Sequence, residues 1–218
     1  MRRMARIGVL VWVGLGLLLG GMPATAQELK GVPLLSLQME GGKPLMQALK
    51  ERATARAFSP EKLPDQTLSN LLWAAFGVNR PDGRRTAPSA MNRQEIDIYV
   101  VAANGTFVYE AKTHSLVPVV PEDLRALAGT QAFVKEAPVT LIFVADYARM
   151  GTASTEQKDL YAPADAGFIG QNVYLFCASE GLATGVRAMI DRAALAKALK
   201  LRSDQKIILA QSVGYPKK

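Results

Sequence analysis

The sequence contains one histidine and one cysteine in 218 residues. A single histidine, His114, excludes metal sites and catalytic schemes that need two histidines. It lies among Lys112, Thr113 and Ser115, so we expect a solvated loop histidine rather than a member of a Ser/His/Asp triad. Cys177 cannot form an intrachain disulfide, and its apolar helical surroundings predict a buried thiol.

Several motifs of catalysis and nucleotide binding are also missing. The sequence has no Gly-x-Ser-x-Gly, no P-loop and no Gly-x-Gly-x-x-Gly. It has no basic stripe interleaved with aromatic residues, so no nucleic-acid partner is expected. With protein nucleophiles and metal ligands both scarce, any enzymatic activity would depend on a bound organic cofactor.

The longest apolar run, residues 7–19, follows three arginines and precedes Ala24-Thr25-Ala26. This order predicts a secretory signal peptide over residues 1–26, and therefore a periplasmic or otherwise exported protein. The run is short for a bilayer span, so a retained membrane anchor is the weaker alternative. Cleavage after Ala26 would remove three of the 26 basic residues and none of the 19 acidic ones. The remainder divides into an N-terminal arm, residues 27–43, and one domain, residues 44–218.

Hydrophobic periodicity predicts an α+β arrangement of helices and strands. Apolar residues at helical spacing predict a helix that is capped by Asp65 and closed by Gly77. Alternating residues on both sides of Asn104-Gly105 predict a β-hairpin. The apolar run 139–145 predicts a central strand that is covered on both faces. We also predict short helices at 44–52, 121–128 and 192–200, the last capped by Asp191, and a final strand at 207–210.

A long helix is predicted over residues 164–180, ended by Gly181. It is apolar on most sides, and a helix with so little polar surface needs more cover than one sheet provides. We infer that the helix forms the buried core of a dimer; the alternative is that it is the central helix of a monomer.

The stretch from Arg52 to Phe58 alternates polar side chains with alanines. In an extended segment, this period places Arg52, Thr54 and Arg56 on one side and methyl groups on the other. Two guanidinium forks with a hydroxyl between them suit a ligand that carries a phosphate and a polar heterocycle. The alternative is a frayed, solvated end of the preceding helix.

A second polar segment, Pro88 to Gln94, lies between the helix that ends at Phe76 and the first hairpin strand. Ser89, Asn92 and free backbone amides in it would offer hydrogen bonds to the edge of a planar heterocycle. Taken alone, this segment is better explained as a turn that leads into a strand.

The two segments together, followed by Ala137-Pro138 before a buried strand, resemble the FMN-dependent nitroreductase family. The stretch 72–90 is similar to the branch that includes azoline dehydrogenases and their small exported relatives. The resemblance covers residues 44–216. It implies a three-layer α+β fold with a central, mainly antiparallel sheet flanked by helices, in an intertwined homodimer that binds FMN at the subunit interface.

The resemblance also implies roles for particular residues. Arg52 and Thr54 would hold the phosphate and ribityl region, while Arg56 would face the N1/C2=O edge of the flavin. Gln131 would touch its pyrimidine side, and Lys217 or Lys218 would complete the phosphate site, unless the latter two form only a ragged basic tail. The remaining residues would line the ring: Val186, Arg187 and Ala188 from one subunit, and Pro88, Ser89, Ala90 and Asn92 from the other.

The implied activity is transfer of hydride or electrons through flavin N5 to a nitro, quinone or other conjugated acceptor, with no side-chain nucleophile. The electron donor stays open among NAD(P)H, a quinol and a redox protein, because NAD(P)H is expected to be cytosolic. Ala188 stands where many bacterial nitroreductases have a glutamate. A flavin-binding or small-ligand-binding envelope protein without turnover is therefore the alternative.

Overall fold

The computed structural model describes residues 29–217. The predicted signal peptide, the first two residues of the predicted arm and Lys218 lie outside this range. Within it, no helix combines the length and the apolar character that crossing a bilayer requires.

One seven-stranded sheet forms the centre of the fold, with all of its paired strands antiparallel and in the order β1-β4-β3-β2-β5-β7-β6. The predicted α+β class is therefore confirmed. The strands are β1 Val32–Pro33, β2 Ile96–Ala102, β3 Gly105–Glu110, β4 Ser115–Val120, β5 Val139–Asp146, β6 Ala183–Arg187 and β7 Gln205–Gly214. The helices are α1 Leu45–Glu51, α2 Asp65–Phe76, α3 Thr155–Glu180 and α4 Arg192–Ala198.

The central strand β5 is covered on both faces, as predicted. Leu141 and Phe143 point into a core shared with α2 and α3. Ile142 and Val144 point into a second core on the opposite face, which α4 covers. All four side chains are fully buried, and each contributes about 1.5–3 kcal/mol to folding by leaving water. The sheet is thus the middle layer of three.

Helix α2 and the β2–β3 hairpin match their predictions, with Ala102 paired to Gly105 at the turn. Asp65 is the first helical residue rather than the cap, because Pro64 occupies the N-cap position. Helix α3 begins at Thr155, well before the predicted start. Ser154 and Gln157 form a reciprocal capping box there, and the helix continues through Pro163. Gly181 ends α3 in a left-handed conformation (φ 70°), as predicted.

The prediction of a helix over residues 121–128 is wrong. Only a 3-10 turn, Arg125–Leu127, forms there. Asp123 accepts the Arg125 backbone N–H at 3.0 Å and its guanidinium Nη2 at 2.7 Å. This local turn competes with the helix.

The expectation of a solvated His114 is also wrong. His114 is half-buried, and its Nε2 lies 2.7 Å from Ser69 Oγ while its Nδ1 lies 3.0 Å from Tyr109 Oη. Burial lowers the pKa of His114. The ring therefore bridges α2 and β3, and part of the arm joins the sheet beside it, since Leu34 N–H donates to the His114 carbonyl at 3.1 Å.

Cys177 is a fully buried free thiol, as predicted.

Candidate functional site

The segment after α1, residues 52–58, runs in extended form along the outer edge of β6. The Ala55 N–H donates to the Thr184 carbonyl at 2.8 Å. The two backbones approach closely because Gly185 has no side chain: a Cβ there would lie 2.6 Å from the Ala55 carbonyl oxygen. The segment is therefore held on the sheet edge rather than being the frayed end of a helix.

Tyr174 of α3 joins this segment to β6. Its hydroxyl oxygen accepts the Val186 backbone N–H at 3.0 Å and lies 2.9 Å from Thr54 Oγ1. The Arg52 guanidinium lies 5.3 Å from the centroid of the Tyr174 ring, a cation–π distance. If the Tyr174 hydroxyl donates to Thr54 Oγ1, the Thr54 proton stays available to a ligand.

Arg56 lies two residues after Thr54, and both of these residues are exposed. Arg52 is half-buried. Among residues 29–217, neither Arg52 nor Arg56 forms an ion pair within 4.0 Å. Two cations and a hydroxyl donor thus lie along one short segment. This is a suitable arrangement for a phosphate and another electron-rich group.

The end of β6 lies beside this segment. The Arg187 side chain, on β6, is buried, with 7% of its surface exposed. Its Nε donates to the Ala128 carbonyl at 3.1 Å, and its Nη1 donates to Ser212 Oγ at 2.9 Å. Burial lowers the pKa of Arg187 to about 10. Its side chain therefore fixes β6 to the sheet and to the loop at Ala128, while Ala188, the next residue, is exposed.

Gln131 borders the same region. Its Nε2 lies 3.6 Å from the Met189 sulfur, and the neighbouring Thr130 N–H donates to the Met189 carbonyl at 3.2 Å. Its Oε1 is buried and accepts no hydrogen bond from the residues that the structure describes. We call the group Arg52, Thr54, Arg56, Gln131, Val186, Arg187 and Ala188 the β6-edge site.

The segment Pro88–Gln94 does not join the β6-edge site within one chain. The Ala90 N–H donates to Asp165 Oδ2 on α3 at 2.8 Å. Asp165 precedes Tyr174 by nine residues, which is about 13 Å along a helix. The predicted residues Pro88, Ser89, Ala90 and Asn92 therefore lie near the middle of α3, away from the β6-edge site.

The expectation of free backbone amides is wrong for Ala90, Asn92, Arg93 and Gln94, whose N–H groups have partners within the chain. Besides Ala90, the N–H groups of Asn92 and Gln94 donate to the Ser89 carbonyl at 2.9 Å and to Ser89 Oγ at 2.9 Å. The Asn92 side-chain oxygen accepts from Gln94 Nε2 at 2.9 Å. The segment folds into a tight turn, in which Met91, Asn92 and Gln94 have left-handed backbones. The turn pairs most of its backbone N–H groups, whereas Arg93 Nη1 is buried and has no partner among residues 29–217.

Lys217 lies at the end of the chain near the β6-edge site. Pro216 pairs with Phe58, two residues after Arg56. The Lys217 ammonium is 3.5 Å from Glu136 Oε2 in an exposed ion pair. Exposed pairs of this kind contribute about 0–1 kcal/mol, so the ammonium can exchange Glu136 for another anion.

Sequence reasoning missed Tyr174 and the strand β6. Tyr174 lies in a largely apolar helix, where a tyrosine is ordinarily a core residue. Strand β6 is short and contains Gly185, which weakens the strand pattern. Reasoning from the residues alone therefore finds only Arg52, Thr54 and Arg56 of this site, whereas Gln131, Val186, Arg187 and Ala188 were expected only from the family resemblance.

The fold is a three-layer α+β domain, and the guanidinium groups of Arg52 and Arg56 lie along one edge of its sheet. Gln131 adds a buried oxygen that accepts no hydrogen bond from residues 29–217. Such a site suits an anionic cofactor. The model of the nitroreductase family matches residues 49–215, and the chain belongs to that family. Members are oxidoreductases, typically bind FMN and are generally homodimers.

Relatives support this placement. A curated protein of Methanocaldococcus jannaschii named as a nitroreductase is 32% identical over 150 residues, covering 64% of this chain and 76% of its own length. A crystal structure of a nitroreductase-like protein from Ralstonia eutropha is 38% identical with a TM-score of 0.84, covering 90% of this chain and 94% of that one. The NADPH:FMN oxidoreductase of Vibrio harveyi, at 21% identity and a TM-score of 0.61, covers 80% of this chain and 69% of its own, and shares the fold.

Proposed function

We propose that this chain is an exported, FMN-dependent oxidoreductase of the azoline-dehydrogenase-like branch of the nitroreductase family. It would transfer hydride or electrons to a nitro, quinone or other conjugated acceptor. The observation that carries the proposal is the arrangement around Tyr174, which holds Thr54 and Arg52 against β6 and leaves their polar groups open to a ligand.

The residues of the β6-edge site fit FMN chemically. Arg52 and Thr54 offer a cation and a hydroxyl to the phosphate and ribityl chain. Gln131 Oε1 is buried and accepts no hydrogen bond within residues 29–217, and the imide N–H of a flavin would satisfy it. Lys217 can add a second cation for the phosphate. Val186 and Arg187 would then contribute through their backbone positions, since the Arg187 side chain is committed elsewhere.

Bound FMN would supply the redox chemistry through N5. The protein's part would be electrostatic: the exposed Arg56 guanidinium would stabilise negative charge that builds up at the N1/C2=O edge on reduction. No side-chain nucleophile is needed. Ala188, exposed beside Met189, would leave room for a small acceptor or donor.

We further propose a homodimer in which the segment Pro88–Asn92 of one subunit completes the site of the other. Large apolar side chains are exposed on α1 and α3, among them Leu45, Met46, Leu160 and Phe168, with exposed fractions of 62%, 75%, 64% and 49%. Apolar side chains on adjacent helices indicate a surface that another chain covers.

Residues 1–26 would direct export, with residues 27–43 as the arm and 44–218 as the FMN-binding domain. Outside the cytoplasm, a quinol or a redox protein would be a more accessible electron donor than NAD(P)H.

An absorbance spectrum of the purified mature protein tests the proposal. We expect a flavin absorbance spectrum that bleaches when dithionite is added. Bleaching on addition of NADH or NADPH would show that the added nucleotide is an electron donor. In Arg56→Ala, loss of a charge-assisted hydrogen bond of about 1.5–3 kcal/mol should weaken FMN binding roughly 10- to 150-fold. It should also lower the reduction potential of the flavin.

Arg202→Ala is the matched control, because it removes an exposed arginine at the opposite end of β7, where Arg202 pairs with Asp146 and Asp204. Unchanged FMN affinity and potential in Arg56→Ala would exclude Arg56 from the site. A colourless protein that does not bind added FMN would refute flavin dependence.

The absence of an ionisable side chain at Ala188 favours one alternative, a flavin-binding envelope protein without turnover. Protein that is yellow and bleaches with dithionite, but passes electrons to no nitro or quinone acceptor, would support this alternative.

A further inference from the structure

An apolar cavity lies between the N-terminal arm, the start of α2 and the sheet face that α2 and α3 cover. Its volume is about 470 Å³, within the range of roughly 300–1,000 Å³ that is usual for small-molecule sites. Val32 and Leu35 line it and are 42% and 49% exposed, so the chain alone leaves apolar surface uncovered there. None of the lining residues belongs to the β6-edge site. We call this space the arm cavity.

The floor of the arm cavity is a row of side chains that crosses the sheet. Val100 of β2 pairs with Phe107 of β3, and both line the cavity. Leu116 of β4, which pairs with Val32 of β1, continues the row. Three spacings of about 4.8 Å between neighbouring strands make this floor about 14 Å long. The arm cavity can therefore hold an extended alkyl chain rather than only a compact group.

The arm closes the cavity along one side and is held there by a series of hydrogen bonds. The Leu34 N–H donates to the His114 carbonyl at 3.1 Å, and Ser69 Oγ of α2 donates to the Leu35 carbonyl at 2.6 Å. Because the Ser69 proton is used in that bond, His114 Nε2 donates to Ser69 Oγ at 2.7 Å. In the neutral ring, Tyr109 Oη then donates to His114 Nδ1 at 3.0 Å. The wall is thus fixed before a ligand arrives, which lowers the entropic cost of binding.

Arg125 provides the first cation of the lining. It lies beside the start of β5, because its Nη1 donates to the Ala137 carbonyl at 3.3 Å. Its Nε and its Nη2 donate to Asp123 at 2.9 Å and 2.7 Å. A guanidinium has five N–H groups, so one N–H on each terminal nitrogen has no partner among residues 29–217. This part of the cavity favours an oxygen acceptor, and above all a carboxylate, with which the hydrogen bonds are charge-assisted.

Lys62 provides a second cation at the same end of the sheet. Three residues before it, the Ser59 N–H donates to the Tyr215 carbonyl at 2.9 Å, just beyond the end of β7, which pairs with the start of β5. The Lys62 ammonium lies 3.0 Å from Asp65, and both side chains are exposed. An exposed pair of this kind is weak, so the ammonium can exchange Asp65 for an anion in the cavity. Two cations and one carboxylate line the arm cavity, and its charge is therefore positive.

We propose that the arm cavity binds a medium-chain carboxylic acid. The alkyl chain lies across the row of apolar side chains, between α2 and the arm, and the hydrophobic effect drives it there. The carboxylate lies at the end where Arg125 and Lys62 are found. This site is independent of the proposed function, because it requires neither FMN nor a second subunit.

Calorimetric titration of the purified protein with decanoate at neutral pH tests the proposal. We expect one decanoate per chain, and decan-1-ol, which lacks the carboxylate, should bind roughly tenfold more weakly. In Lys62→Gln, decanoate should bind roughly threefold more weakly, because the variant loses a cation and leaves Asp65 without its partner. Lys112→Gln, at an exposed lysine outside the cavity, is the control and should bind decanoate as the wild type does.

Ala102→Trp tests the position of the site. Ala102 is half-buried at the end of β2 and lines the arm cavity, so an indole there would fill the space of the alkyl chain and abolish decanoate binding. Ala193→Trp makes the same change at an exposed alanine of α4, on the opposite side of the sheet, and should leave binding unchanged.

Hydrogen exchange of the wild-type protein gives a readout that does not depend on a variant folding. Decanoate should slow exchange in residues 32–36 and 102–107 and leave residues 186–192 unchanged. The proposal would be overturned by the absence of saturable decanoate binding, by equal affinities for decanoate and decan-1-ol, or by undiminished binding to Ala102→Trp. A protein that binds decanoate in this way but binds no FMN would support the arm cavity and refute only the flavin function.

Discussion

At the scale of single residues, Tyr174 connects three parts of the site through one hydroxyl group. In Tyr174→Phe, the half-buried Val186 N–H and Thr54 lose their partner. An unsatisfied donor of this kind costs about 1–3 kcal/mol, so the free energy of unfolding in urea should fall by that amount. FMN binding should weaken as well, because Thr54 is no longer held.

Tyr161→Phe provides the matched control on the same helix. Tyr161 is half-buried, and its hydroxyl forms no hydrogen bond with the described part of the chain. Its loss should change the unfolding free energy by less than about 0.5 kcal/mol. Equal losses in the two variants would show that the Tyr174 hydroxyl contributes nothing specific.

Individual polar residues were predictable where local sequence determines them. The two-residue alternation of Arg52, Thr54 and Arg56 describes an extended segment, and the structure shows one there. Tyr174 was not predictable, because its partners Thr54 and Val186 come from other parts of the chain. The role of Tyr174 depends on Val186 and Thr54, and sequence spacing specifies neither contact.

At the scale of elements, Gly185 lets the segment 52–58 pack against β6. In Gly185→Ala, the added Cβ would meet the Ala55 carbonyl oxygen at 2.6 Å. We expect a loss of about 1–3 kcal/mol in unfolding free energy, together with faster hydrogen exchange in residues 52–58. Gly31→Ala is the control, since its nearest neighbour would be at an ordinary 3.5 Å. If the two variants are equally stable, close packing at Gly185 is not required.

Elements with a strong repeating pattern were predicted well, and irregular ones were not. Helix α2, the β2–β3 hairpin and β5 each bury a regular set of apolar positions. Strands β4 and β6 contain Pro118 and Gly185, which interrupt the pattern, and they exist because neighbouring strands pair with them. The start of α3 was misplaced, because the Ser154 capping box begins the helix before the predicted start and the helix continues through Pro163.

At the scale of the whole molecule, one chain holds only part of the proposed site. The β6-edge site contacts α3 at Tyr174. The segment Pro88–Asn92 contacts the same helix at Asp165, about 13 Å away along the helix axis. An antiparallel partner helix would bring the segment of one chain toward the β6-edge site of the other. The apolar residues exposed on α3 lie between or beside these points and would form the contact.

Phe168→Glu tests this arrangement at an exposed position of α3 that lies between Asp165 and Tyr174. A buried charge in an apolar interface is strongly unfavourable, so sedimentation at micromolar concentration should show a dimer for the wild-type protein and a monomer for the variant. FMN should dissociate more readily from the variant, because the partner's segment is lost. Val117→Glu makes the same change at an exposed residue of β4, 46% accessible and away from α3, and should stay dimeric. A wild-type monomer that binds FMN tightly would contradict a site shared between two subunits.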